Sequence, residues 1–469
     1  MCIRLFIKAA SPLKTTSKSL EIVFTTIPGL NNLLAPSCTT IKYWTAQVGY
    51  HKLKRAKTIA QDWTVMIDAS IQMGEKKCVL ILGARSVNLN KIKNRALKLE
   101  DLEILSMRIV STLNNQVITE MLTEVASAVG KIIAICSDRG SEILCGIKHF
   151  QKISPETRHI ADTAHRVSNF LEASLEKDPR WKKFRELVTL ARRKMQNSLI
   201  PGALPPSPRT KARYMNVDTL IRWALEMLVL LDQGISNPGL DIDELRKYLG
   251  WLFSYRDDID YWNRLIDIGK AARHVVRIGG IHTDTADSFE QAISSVKIGP
   301  RELQFADQLT EFLLSQSKGI KYGEWFIGST EILESLFGKI KYMEREQKAF
   351  GFTSLLLAAM ASVGPLDEKI VAEAMESVKR SDIDKWAAKE IGQSVQSQRR
   401  QIKRIVASSA VKMINTKSGI EKCAAKEISQ SAESQDRQVK KSIADSAVKM
   451  IDTKEVEQEV SGIYRDKAA

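Results

Sequence analysis

No stretch of the chain approaches the roughly 20 consecutive apolar residues that a membrane-spanning helix needs, so the sequence offers no such span. No Gly-x-x-x-x-Gly-Lys-Ser/Thr loop occurs, so no nucleotide cofactor is expected. The six cysteines, at 2, 38, 78, 136, 145 and 423, contain no Cys-x-x-Cys pair. That argues against a thiolate zinc site and a disulfide scaffold. Cys78 and Cys136 sit inside apolar runs and read as buried thiols in a reducing cytoplasm. The six histidines show no metal-ligand spacing, and His159 and His165, with Asp162 between them, form only a weak pattern. Acidic residues are nearly missing from the first 61 positions, where nine Lys/Arg meet the single Glu21. That segment alone supplies +8 of the chain's net +15, a balance that favours a polyanionic partner. Its Ser/Thr-rich character also fits a transit peptide, but a DNA-contacting segment is the preferred reading.

What is present is enough apolar material, 44% of 469 residues, for a sizeable core and more than one structural unit. Five segments are expected. They are a basic N-terminal segment (1–60), a first sheet-bearing part (61–180), an all-α insertion (181–320), a return to the sheet domain (321–365) and a helical C-terminal region (366–469). In the first, Ile41, Trp44, Thr45 and Val48 share one helical face, Ser37 or Thr39 is placed to cap it, and Gly49 to stop it. The basic run Lys52, Lys54, Arg55 and Lys57 follows. This suits either the last part of a helix-turn-helix or a basic linker helix.

Residues 62–73 and 76–84 read as antiparallel strands joined around Gly74-Glu75, with a third strand near 102–110. A helix over 115–130 shows an apolar face of Val117, Ile118, Met121, Val125 and Val129. The all-apolar Ile132–Cys136 is a buried fourth strand. A helix begins near 139, a short fifth strand lies at 160–162, and another helix spans 163–176. This order is that of a ribonuclease H-like mixed sheet, a statement about fold that does not by itself give function. Residues 180–320 have helical periodicity, with Pro/Gly breaks at 201–208 and 237–239. Five of the eight tryptophans fall between 181 and 325 and read as core rather than as base-stacking platforms. Near the C-terminus, Ile383-Asp-Lys-Trp-Ala-Ala-Lys-Glu-Ile returns as Ile420-Glu-Lys-Cys-Ala-Ala-Lys-Glu-Ile. That is a tandem duplication with a period of 37.

Three acids stand out against this framework. Asp68 lies in the run Trp63-Thr-Val-Met-Ile-Asp68, Asp138 follows Ile132-Ile-Ala-Ile-Cys-Ser, and Glu334 lies in the helical Gly328-Ser-Thr-Glu-Ile-Leu-Glu334-Ser-Leu-Phe-Gly-Lys-Ile-Lys341. Carboxylates at two strand ends and on one helix are the hard-oxygen donors that a pair of Mg²⁺ or Mn²⁺ ions requires for phosphodiester chemistry. Either Asp alone reads more simply as a strand-end residue.

These residues carry a resemblance. Ile67-Asp68-Ala-Ser, Cys136-Ser-Asp138-Arg-Gly-Ser-Glu and the segment 328–341 resemble the elements of bacterial insertion-sequence transposases of the DDE type, over roughly residues 36–405. The resemblance implies DNA as partner, a homodimer, and a cytoplasmic, nucleoid-associated enzyme with two Mg²⁺ or Mn²⁺ ions. It also implies cutting of the element ends and joining of the freed 3′-hydroxyl to target DNA. Such transposases place a Lys about seven residues after the catalytic Glu. Glu334 has Lys341 there, whereas Glu331 has Gly338, so Glu334 is preferred and Glu331 reads as a first-turn helix acid. Lys339, Lys341, Lys52, Lys54 and Arg55 are the expected DNA contacts. Asp162 is an accessory acid or a helix cap. The Tyr and Arg expected upstream of the Glu are replaced by Thr330 and Ile327. Three rivals remain: a catalytically decayed DNA-binding remnant, another nuclease on the same sheet, and a helical interaction protein.

Overall fold

The computed structural model describes residues 1–73, 76–92, 95–196, 200–207, 217–234, 241–345, 353–392 and 401–406. The chain divides into two units, Met1–Ile391 and Gly392–Ala469. The sheet and the helices packed around it belong to the first. The duplicated C-terminal segment and the Gly74-Glu75 turn lie almost wholly outside the described residues.

Helices α1 (Cys2–Lys8), α2 (Leu13–Thr26) and α3 (Cys38–Lys54) precede a five-stranded sheet. The sheet is built from β1 (Ala60–Met73), β2 (Lys76–Arg85), β3 (Glu103–Val110), β4 (Gly130–Ser137) and β5 (Arg158–Ala161). The short α4 (Ser86–Leu89) follows β2, α5 (Asn115–Val129) leads into β4, α6 (Ser141–Ile153) into β5, and α7 (Thr163–Glu176) leaves it. The strand order is β3-β2-β1-β4-β5; β1–β2 and β2–β3 pair antiparallel, β1–β4 and β4–β5 parallel. The expected mixed sheet is therefore present, with its elements within a few residues of their expected positions.

Side-chain parity divides the sheet into two faces. Trp63, Val65, Ile67, Val79, Ile81 and Ile135 pack with Ile118, Met121, Leu122, Ile147 and Phe150 of α5 and α6. Met66, Leu80, Leu82, Ala134, Cys136 and Ile160 belong to the core on the other face, with α7, α3 and the later helices. Burial pushes the Cys78 thiol up to about 12 and Cys136 well above its usual value, so both are inert interior thiols.

The described part of the segment from 179 to 317 is mainly helical: α8 (Pro179–Met195), α9 (Val217–Gln233), α10 (Ile242–Leu249), α11 (Arg256–Gly279), α12 (Thr285–Ile293) and α13 (Pro300–Ser317). Its centre is aromatic. Trp181 meets Trp262 edge-on at 4.9 Å, and Phe184 contacts Trp251, Tyr255 and Trp262 at 5.0–5.6 Å. These rings are core, as the sequence suggested. The chain returns through a bridge between Ile281 and Phe326 into α14 (Glu331–Arg345), which buries Leu333, Leu336, Phe337, Ile340 and Met343 along one stripe. Helices α15 (Leu355–Met360), α16 (Glu368–Ser377) and α17 (Arg380–Trp386) complete the unit. No helix of the described residues is long and apolar enough to cross a membrane.

The N-terminal region differs from expectation in three ways. Ser37 caps α3, but the helix runs through Gly49 to Lys54. A Cβ on Gly49 would sit 1.7 Å from the Leu357 carbonyl oxygen, so glycine here permits a close crossing of α15 rather than a stop. Second, no residue of α3 between Ile41 and Leu53 is exposed, which leaves no free face to enter a DNA groove as a recognition helix would. Third, Lys52 is not a DNA contact. It is 2% exposed, and its Nζ donates to the carbonyls of Ala361, Val363 and Gly364 at 2.8, 2.8 and 3.2 Å. Burial and nearby cations bring its ammonium down to about 7. It satisfies carbonyls just beyond the end of α15, groups that would otherwise be unpaired.

Candidate active site

The two parallel pairings determine where the acids fall. Ile67 pairs with Ser137, and Ser137 pairs with Ala161. The next residues in the three strands are Asp68, Asp138 and Asp162. Three acids therefore stand in one row across β1, β4 and β5, with neighbouring strands about 4.8 Å apart. Parity places Asp68 on the face of Met66, away from α5 and α6 and toward α14, which contacts β1. The pairing of β1 with β2 also shifts register between Asp68 and Ile71, and such irregularities re-aim side chains near functional sites.

Each acid has its own environment. Asp68 is 6% exposed, and its Oδ1 accepts from the Ala69 amide at 2.6 Å. Burial, reinforced by the charges of Asp138 and Glu334, raises its carboxyl to about 7, against the Ala69 hydrogen bond and the charge of His165. Asp138 is half-buried, and its Oδ1 accepts from the Gly140 amide at 3.2 Å at the start of α6. Glu334 is half-buried on the first turn of α14. Burial raises its carboxyl too, helped by Asp162 and Glu331 and opposed by His165 and Arg273.

Asp162 proves to be the organiser of this corner. It caps α7 through the His165 amide at 2.9 Å. Its other oxygen accepts from the Thr330 amide at 2.7 Å and from the Thr330 hydroxyl. The Thr163 amide donates to the Gly328 carbonyl at 3.0 Å. The turn before α14 is thus tied to the end of β5 across 168 residues, which is what brings Glu334 to the sheet. Gly328 allows the tight path, because a Cβ there would lie 2.5 Å from Val276 Cγ1 and 2.7 Å from Ile281 Cγ1. Burial alone would raise the Asp162 carboxyl, but hydrogen bonds from His165 and Thr330 and the charge of His165 leave it below its usual value.

His165 is the site residue that sequence reasoning left unassigned. Its Nδ1 lies 3.6 Å from Asp162 Oδ2 and its Nε2 3.7 Å from Glu334 Oε1, ion-pair rather than hydrogen-bond distances. Asp162 first, then Glu334 and Asp138, raise its pKa to about 9 against burial, so it is an imidazolium at neutral pH. The available signal was the Asp162-Thr-Ala-His165 spacing, which puts the fourth residue over the cap of its own helix. Glu331 is held by Arg273 of α11, whose Nε donates at 3.2 Å and whose Nη2 donates to the same oxygen.

The expected DNA contacts separate. Lys339 lines a cavity beside Glu334, and Lys341 is exposed two turns beyond Glu334. Lys54 is exposed, while Arg55 donates to Glu103 at 3.2 Å. No group of three His, Cys, Asp or Glu side chains among the described residues is arranged to hold a metal ion. The chemistry of the donor set nevertheless fits a divalent cation: the charges of Asp138 and Glu334 raise the Asp68 carboxyl, and the counter-charges facing Glu334 are those of His165 and Arg273.

No family model matches the chain, and no curated protein matches it. Among solved structures, it is similar to a Drosophila P element transposase strand transfer complex, at 11% identity and a TM-score of 0.33, over 77% of this chain and 92% of that one. A likeness of that size establishes neither family nor activity.

Proposed function

We propose that this chain is a metal-dependent phosphodiester-cleaving and strand-transferring enzyme acting on DNA, with Asp68, Asp138 and Glu334 as its metal-holding carboxylates. The observation that supports this most is Asp68. A buried carboxyl raised to about 7 by burial and by two other acids is destabilising unless a cation joins it. A bound pair of Mg²⁺ or Mn²⁺ ions would activate the attacking oxygen and stabilise the leaving one. Asp162 holds Thr330 and so positions the first turn of α14. His165 carries the charge facing Glu334, the place that a bound cation would take. The finer reading, transposition by joining a freed 3′-hydroxyl to target DNA, follows the resemblance of the three acidic segments.

A specific observation favours a second reading, a DNA-binding protein with a decayed site: Glu334 faces His165, and no three donors surround one point among the described residues. One assay separates the two. Supercoiled plasmid is incubated with the chain and Mg²⁺ or Mn²⁺. Metal-dependent nicking, lost in both Asp68→Asn and Glu334→Gln, supports the enzyme. Nicking unchanged by both substitutions excludes this site, and no nicking with either ion favours decay.

A further inference from the structure

A cavity of about 800 Å³ opens beside Glu334, walled by α1, the 95–100 loop, α11, α14 and residues 361–366. Its charges are unevenly matched. Glu331 is held by Arg273, Arg95 by Asp101 at 2.8 and 2.6 Å, and Glu100 stands 3.9 Å from both Lys8 and Lys98. Arg277 on α11 and Lys339 on α14 line the same cavity, and neither has an ion-pair or hydrogen-bond partner among the described residues. Two cations without such a partner among the described residues therefore line one cavity together with Glu334. Apolar side chains, including Trp325, Ile327 and Leu97, make up much of the wall.

From this geometry we infer that the cavity receives a single nucleic-acid strand flanking the scissile phosphodiester, with Arg277 and Lys339 on successive backbone phosphates. The inference rests on the proposed function for the meaning of Glu334. The size of the cavity argues for one strand: the volume is that of a site for a small molecule or a few nucleotides. The apolar wall beside free cations is the combination that single-strand grooves use, a charged track with surfaces on which bases rest.

The test is fluorescence anisotropy of the full chain with fluorescein-labelled (dT)8 and with a hairpin duplex, in EDTA, across a salt series. Arg277→Gln/Lys339→Gln is compared with Arg193→Gln/Lys194→Gln, which removes equal charge from the exposed side of α8. Each lost single-strand phosphate contact lowers the salt slope by about 0.7, so the cavity double variant should lose about 1.4 in slope and bind (dT)8 about 25-fold more weakly at 0.1 M salt. The α8 variant should change less than about twofold on the same scale. Arg277→Lys should retain most of the affinity, and unchanged circular dichroism should accompany each variant. Equal losses in the two double variants overturn the inference, as does a hairpin bound as tightly as (dT)8 with the same dependence on Arg277 and Lys339. Because binding is read without metal, it stands or falls separately from nicking. Nicking that persists without cavity-dependent binding removes this inference alone, and binding without nicking removes the catalytic reading alone.

Discussion

In the helical insertion, buried acids face guanidinium groups; in the sheet, the buried Asp68 faces the charges of Asp138 and Glu334. Asp258 receives Arg180 Nε at 2.8 Å and Nη2 at 2.6 Å, and Asp178 receives Trp262 Nε1 at 3.0 Å with Arg301 at 3.6 Å. Glu302, 2% exposed, accepts Arg264 Nε at 2.7 Å and the Gly299 amide at 3.0 Å. Burial would raise its carboxyl, but those partners leave it below its usual value. Asp68 is nearly as buried, lacks an arginine and rises to about 7. Burial alone therefore does not mark a functional acid. The missing cation does, because the first arrangement is complete as folded and the second gains from a ligand.

Breaking the two sites should have opposite consequences. The largest effect concerns activity: Asp68→Asn or Glu334→Gln should lower metal-dependent nicking by about 10³-fold or more, since metal stabilisation of a phosphoryl transition state is worth several kcal/mol. Next, Arg264→Ala should strand the Glu302 charge and cost about 3–5 kcal/mol in urea unfolding at pH 7, with Arg264→Lys recovering part of it.

By contrast, Asp68→Asn should stabilise the metal-free protein by about 2–4 kcal/mol at pH 8. The sign follows from the raised pKa: the native state holds this proton more tightly than the unfolded chain does. The penalty is absent below about 3.8, grows with pH and is complete above about 7, so the stabilisation should vanish in melts at pH 4. A wild-type protein as stable as Asp68→Asn at pH 8 would erase the contrast between the two regions.

The smallest effect belongs to His165. Its folded pKa is raised to about 9, so its ion pairs contribute fully below about 6.5 and fade as pH rises through 9. The side chain is 36% exposed, so solvent screening limits the contribution to about 1 kcal/mol. His165→Gln should flatten the decline of stability between pH 6.5 and 9.

Much of the sheet half was legible because its determinants are local. The apolar run of β1, the all-apolar β4 and the apolar stripe of α5 each carry their own signal. Asp138 could be placed at a strand end for the same reason, whereas Asp68 lies inside β1, one residue past its last pairing with β4. The N-terminal region was misread because its determinants are distant in sequence. Gly49 resembles a helix stop until α15 crosses it, and Lys52 resembles a DNA contact until residues 361–364 surround its ammonium. The Asp162–Thr330 tie and the approach of His165 to Glu334 join parts of the chain separated by the helical insertion, and no local pattern encodes such contacts. Charge matching was equally hidden, since Asp258 and Asp68 differ in partners that only the fold supplies.

The central claim is that Asp68, Asp138 and Glu334 form a site that a divalent cation completes. Mn²⁺ binding to the full chain at pH 8, read from the electron paramagnetic resonance of the free ion, tests it most directly. Saturable binding in the wild type, lost in both Asp68→Asn and Glu334→Gln and retained in Arg264→Lys, is the expected result. Equal Mn²⁺ uptake by the wild type and the two acid variants would contradict it.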